Sequence, residues 1–212
     1  MQIEAIKEEV PEIKKVNPVY FDEKTESVLV ELEKTQKEFW NLDRQSANFL
    51  NTLIKINNSK NVLEIGTSNG YSGIWILKAL EELGFGKLTT IEFWEKRQSI
   101  ARNNFKICCP NSKPKAKIGS AIVVLEDLEE EINKGKIEKF DFVFIDANKK
   151  EYIEYFKIID KITTNNVVIL ADNILSHYEK VENYVQTLFD HPNYQSQIID
   201  IGAGMMLSKK LL

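Results

Sequence analysis

The chain has little of what would place it outside the ordinary globular class. Its longest unbroken apolar runs, Ala121-Ile122-Val123-Val124-Leu125 and Val167-Val168-Ile169-Leu170-Ala171, have five residues each. A membrane span needs about 20, so no membrane partner is expected. Positive charge is not in excess: 28 Lys and Arg against 32 Asp and Glu leave a formal net charge of −4. That balance, with a pI of about 5.4, disfavours strong non-specific nucleic-acid binding, which rests on many Lys and Arg contacts to phosphate. It leaves room for a local basic patch hidden by acids elsewhere. Cysteine is scarce, and the two present, Cys108 and Cys109, are adjacent. Neighbouring cysteines make a poor disulfide, and zinc motifs need spaced pairs. They read as small hydrophobes at a helix end before Pro110. A reducing, cytoplasmic setting is the simplest expectation. The two histidines, His177 and His191, have no partner by spacing and read as capping and turn residues. The opening segment MQIEAIKEEVPEIKK has neither the apolar core of a secretory signal nor the Arg/Ser-rich character of a transit peptide.

What is present is ordinary in amount and informative in order. Charged residues make up 28% and apolar residues 43% of 212, which excludes a disordered chain and fits one large domain. No repeat or low-complexity stretch occurs. Short apolar runs alternate with segments at helical spacing. Asn61 to Gly66, Lys87 to Glu92, Phe140 to Asp146 and Val167 to Asp172 read as strands, each ending in Gly or an acid. Between and after them, Ala121/Leu125/Leu128/Ile132, Tyr152/Phe156/Ile159 and Val181/Tyr184/Val185/Leu188 recur at helical intervals. Strands apolar on both faces, alternating with helices, predict a parallel sheet covered on two sides. Gly66 to Glu92 and Asp146 to Asp172 are each 26 residues apart, about one strand-helix repeat. The end of the chain breaks the rhythm. Tyr194 to Ile201, Gly202-Ala203-Gly204 and Met205 to Lys209 predict a hairpin, so the last strand should enter the sheet antiparallel. Before Lys60 the pattern is helical, with Val28, Leu32 and Phe39 expected on one face. Phe49, Leu50, Leu53 and Ile54 form a second stripe. The expectation is an arm over 1–20 and a single domain over 21–212, in which helices of 21–58 cover the active edge of the sheet.

In open parallel sheets, ligands bind beyond the carboxyl ends of the strands, where strand order reverses. There the first strand offers Glu64-x-Gly66-Thr67-Ser68-Asn69-Gly70-Tyr71-Ser72. Gly66 permits a tight turn and close backbone approach. Glu92 ends the next strand, where a carboxylate can accept both hydroxyls of a ribose. The dinucleotide fingerprint G-x-G-x-x-G is absent, and a carboxylate at Glu64 would repel a phosphate. An NAD-dependent oxidoreductase is therefore disfavoured. A ligand with an ammonium, a carboxylate and a ribose suits the acids better: S-adenosylmethionine. A second acidic group follows. Asp146 ends one strand with Lys149 three residues on, and Asp172-Asn173 end another. Three hard oxygen donors at neighbouring strand ends suit Mg²⁺, with Ca²⁺ or Mn²⁺ as alternatives. Phe39, Trp40 and Tyr71 are candidates to line a pocket for a flat ligand, since an aromatic wall suits one.

At these residues the sequence resembles the cation-dependent O-methyltransferases, the family of catechol and caffeoyl-CoA O-methyltransferases. The resemblance runs from about Phe39 to Lys210. It rests on Glu64-x-Gly66 with Gly70-Tyr71-Ser72, Glu92, Gly119-Ser120-Ala121, Asp146-x-x-Lys149-x-x-Tyr152 and Leu170-Ala171-Asp172-Asn173. It implies a Rossmann-like α/β sandwich, its seven-stranded, mainly parallel sheet having an antiparallel last strand. By resemblance, Glu64 and Ser72 hold the methionine moiety above the turn of Gly66, Thr67 and Ser68. Glu92 binds the ribose, Phe93 stacks on adenine, and Ser120 and Ala121 meet the adenine edge. The backbone of Leu42 meets the cofactor. Asp146, Asp172 and Asn173 are the implied metal ligands, Asp146 also shaping the cofactor site, and Lys149 the general base. A homodimer is implied by resemblance alone. The implied reaction is transfer of a methyl group to a hydroxyl of a small catechol-like substrate. A hydroxylated tRNA nucleoside is the rival acceptor. Two departures stand out: Arg44-Gln45-Ser46-Ala47-Asn48, read as a loop, replaces a stretch that in the family often carries a glycine. At Gly202-Ala203-Gly204 the acid that touches catechol in the animal enzyme is missing.

Overall fold

A computed structural model describes residues 20–211. The arm expected over 1–20 thus lies outside the described residues except for Tyr20, whose ring packs 5.2 Å from that of Trp75. Three helices open the described chain: α1 (Glu23–Lys34), α2 (Gln36–Phe39) and α3 (Arg44–Ile56). The alternation that follows is β1 (Asn61–Ile65), α4 (Tyr71–Leu83), β2 (Lys87–Glu92), α5 (Glu95–Cys108), β3 (Lys115–Ile118), α6 (Ala121–Asn133) and β4 (Phe140–Ile145). A single 3₁₀ turn at Lys149–Glu151 leads into α7 (Tyr152–Ile162), then β5 (Thr163–Ala171), α8 (Tyr178–Asp190), β6 (Tyr194–Ile199) and β7 (Met205–Lys210).

The seven strands form one sheet in the order β3-β2-β1-β4-β5-β7-β6. The first five are parallel to their neighbours, and β7 runs antiparallel to both β5 and β6. The predicted hairpin and its antiparallel insertion are both present. Side-chain alternation along the strands sorts the core into two layers. Leu63, Ile65, Val143, Ile145, Val167 and Ile169 face α6, α7 and α8. Val62, Phe142, Phe144, Val168 and Leu170 face α3, α4 and α5. Order reverses between β1 and β4, so the crevice lies there. The Asp146 N–H donates to the Ile65 carbonyl oxygen at 2.9 Å, and the Asp172 N–H to that of Ile145 at 2.9 Å.

The N-terminal helices differ from the expectation in two places. Thr35 ends α1, so Phe39 sits in a separate helix from Val28 and Leu32. Arg44 to Asn48 is not a loop: Asp43 caps α3 by accepting from the Ser46 N–H at 3.0 Å, and Arg44 is already its first residue. Leu50 and Ile54 are the fully buried members of the predicted stripe. No helix of the described residues is long and apolar enough to cross a membrane.

Candidate active site

The crevice beyond β1 and β4 opens into a cavity of about 670 Å³. Its wall includes nine of the residues to which the resemblance assigns a cofactor, metal or catalytic role: Gly66, Ser68, Glu92, Phe93, Ser120, Ala121, Asp146, Lys149 and Asn173. They come together because β1, β2, β3, β4 and β5 all end at this edge. Gly66 makes the junction possible. Its φ is +105°, and a methyl group there would overlap the carbonyl oxygen of Asp146, so only glycine lets the turn after β1 pass this close to β4.

Glu92 is held before any ligand arrives. One carboxylate oxygen accepts from the Ser68 N–H at 2.8 Å and the other from the Trp94 N–H at 2.9 Å. Phe93 next to it is exposed, its ring edge-on to Trp94. A flat group entering between Phe93 and the Ser120-Ala121 wall would meet an apolar face and backbone.

Four named residues lie behind the wall. Glu64 is fully buried between β1 and α4, its two oxygens accepting from Ser72 Oγ and Thr90 Oγ1 at 2.6 Å each. Burial pushes its carboxyl up to about 7, against the pull of those two hydroxyls, and the charges of Asp146 and Glu92 add to the rise. Thr67 is buried on Thr90. Ser72 is spent on Glu64, and Leu42 sits in the core layer with Leu29 and Tyr71. Tyr71 itself is buried and donates to Glu33 at 2.7 Å, so of the three candidate aromatics only Phe39 and Trp40 reach the cavity.

The acidic group assembles at the ends of β4 and β5. Lys149 Nζ lies 2.9 Å from Asp146 Oδ1. Asp172 is buried, and its Oδ1 has no hydrogen-bond partner among the described residues. Burial first, then the charge of Asp146, push its carboxyl up to about 7. Asn173 has φ +64°, a left-handed turn that carries the chain across the cavity wall. A divalent cation fits this set: two carboxylates that repel each other, an amide beside them, and a buried oxygen left without a donor.

Several cavity residues carried no signal in the sequence. Arg97 lies 4.8 Å over the ring of Trp40 and 5.5 Å from that of Phe39, and donates to the Glu38 carbonyl. Trp94, Lys150, Tyr155 and Lys180 also line the wall. His177, expected as a surface or capping residue, stands at the N-cap position of α8 without a side-chain capping bond and faces the cavity. Burial holds its imidazole below the usual value, with Lys180 and Lys149 adding to the effect.

Residues 21–211 match the model of a family described as O-methyltransferase. A catechol O-methyltransferase of Niastella koreensis is 37% identical over 127 residues, 60% of this chain and 55% of that protein. Caffeoyl-CoA O-methyltransferase 1 of Eucalyptus globulus is 33% identical over 153 residues, 68% of this chain and 57% of that protein. The chain thus aligns with little more than half the length of these curated relatives. Among solved structures, the O-methyltransferase from Bacillus cereus in complex with SAH superposes with a TM-score of 0.78 at 26% identity, covering 91% of this chain and 92% of that one.

Proposed function

The chain belongs to the O-methyltransferase family, and from that premise we propose that it methylates a hydroxyl of a small catechol-like acceptor. S-Adenosylmethionine would supply an electrophilic methyl group, and a divalent cation, Mg²⁺ before Ca²⁺ or Mn²⁺, the charge that lowers the pKa of a hydroxyl. The donor would be held by Glu92, whose fixed carboxylate accepts from two ribose hydroxyls, by Phe93 against the adenine, and by the backbone of Gly66 to Ser68. Asp146, Asp172 and Asn173 would hold the cation. Phe39 and Trp40 wall the opening through which a flat phenol enters.

Lys149 would receive the hydroxyl proton at Nζ. It is paired with Asp146 at 2.9 Å, so the role requires that pair to open. Asp146 thus has two tasks: it belongs to the cation site and it governs the state of the base. Holding acceptor oxygen and methyl carbon in line at contact distance should supply much of the rate.

The observation that carries this reading is the partnerless, buried Asp172 Oδ1 beside Asp146. The test is a methyl-transfer assay with labelled S-adenosylmethionine over catechols, caffeoyl thioesters and unmodified tRNA, with and without a chelator. Transfer to a catechol that ceases on chelation supports the reading. Transfer unaffected by chelator and by Asp172→Ala overturns the cation site, and transfer only to tRNA overturns the acceptor.

A further inference from the structure

The acidic balance of the chain hides a sharp local exception. From Lys96 to Leu125 there is no Asp or Glu, although the chain holds 32 of them; the same stretch carries Lys96, Arg97, Arg102, Lys106, Lys113, Lys115 and Lys117. It forms α5 and the edge strand β3. Between the two lies a second concavity of about 400 Å³, lined by Arg102, Phe105, Lys106, Ser112, Lys113, Pro114 and Ala116. Three of those seven are cations and none is an acid.

The charges are not consumed internally. Among the described residues Arg102, Lys106 and Lys113 make no ion pair, and Arg102 donates only to the Ala116 carbonyl at 3.4 Å. One neighbouring acid, Glu81, touches the groove wall but is already engaged, and the others are set aside. Glu81 accepts from Ser112 Oγ at 2.8 Å and faces Lys78 at 3.6 Å. Glu131 pairs with Lys117 on the opposite face of β3. Glu95 opens α5 at its far end. The groove floor is apolar, made of Phe105, Pro114 and Ala116. Three cations around an apolar floor match a ligand with anionic oxygens and a flat body.

We propose that the groove between α5 and β3 binds a phosphate ester of nucleotide size, its phosphate oxygens on Arg102, Lys106 and Lys113 and its planar part on Phe105, Pro114 and Ala116. The site is separate from the cavity at the strand ends and stands independently of the methyl-transfer reading. Two sources share this chemistry, a free nucleotide and a phosphodiester chain passing along the sheet edge.

The full chain is titrated at low salt with pyrophosphate, UDP, uridine and a five-residue oligouridylate, with S-adenosylhomocysteine present and absent. Pyrophosphate, UDP and the oligomer bind, uridine does not, and S-adenosylhomocysteine leaves binding unchanged. The double variant Lys106→Glu/Lys113→Glu weakens binding at least about tenfold, and Arg102→Gln weakens it without reversing a charge. A control reversal at exposed Lys139 changes it less than twofold. Added salt weakens oligomer binding more steeply than UDP binding if a chain is the natural ligand. Affinity that is the same for UDP and the oligomer identifies a free nucleotide. Absence of saturable binding by all phosphate probes, or equal loss in the Lys139→Glu control, overturns the site.

Discussion

At Gly66 the backbone has φ +105° and the space a methyl would fill is taken by the Asp146 carbonyl. Gly66→Ala should therefore strain the turn and push β1 from β4 at the crevice, costing about 3 kcal/mol or more in urea unfolding, with transfer activity lost. Glu64 offers a test of pH. Its carboxyl rises from 4.5 to about 7 in the folded chain, so the folded state holds that proton more tightly than the unfolded state. The stability this contributes is complete below about pH 4 and is lost as pH rises through 7. Glu64→Gln should lessen the fall of the urea midpoint over that window, Asp172 still contributing, and exceed the native chain by about a few kcal/mol at pH 8. The chemistry of single residues was partly legible in the sequence. Gly66, Glu92 and Asp146 were readable because chain order alone puts them at strand ends. That Glu64 lies behind the wall was not, because a strand residue's face depends on which helix covers it. Tyr71, the first residue of α4, misled because its hydroxyl turns inward onto Glu33 instead of into the cavity.

Among the elements, the α2 segment shows how a short piece of chain becomes part of the wall. The Phe39 carbonyl accepts from Ser68 Oγ at 2.8 Å, and Trp40, at φ +55°, is pinned under Arg97. A guanidinium over an aromatic ring contributes about 0.5–2 kcal/mol. Arg97→Ala should raise the KM for S-adenosylmethionine about fivefold to tenfold, with kcat and Tm little changed; steady-state kinetics and a thermal melt decide it. A firmer tie joins α1 to α3. Arg44 contacts Glu26 at 2.6 Å and Glu33 at 2.9 Å, half-buried, and Glu33 also accepts from Tyr71. Arg44→Ala leaves two carboxylates facing each other and should cost about 3 kcal/mol in chemical denaturation. The parallel strands and the last hairpin were visible in the pattern of apolar runs. β3 was not: as an edge strand with the sequence Lys-Ala-Lys-Ile it has no apolar run to announce it. Arg44 to Asn48 passed for a loop because its polar residues hide a helix start capped by Asp43.

For the molecule as a whole, the acids at the crevice set a balance between empty and loaded states. Asp172 and Glu64 both rise with burial, so the unloaded chain should be less stable at pH 8 than at pH 5. A divalent cation at Asp172 would reverse that cost by binding the folded chain alone. Millimolar Mg²⁺ at pH 8 should raise the Tm of the native chain and leave Asp172→Asn unmoved, as calorimetry would show. The Gly202–Gly204 turn adds a different constraint. Its carbonyls at Ala203 and Gly204 receive the N–H groups of Ile174, Leu175 and Ser176, just past Asn173. A side chain at Gly202 would collide with Asp43 and Ser46 at the start of α3. The turn at 202–204 is therefore a clasp between the loop after β5 and the start of α3. One tight bend thus ties two stretches on either side of the crevice, and a bulkier residue in it would slacken both together.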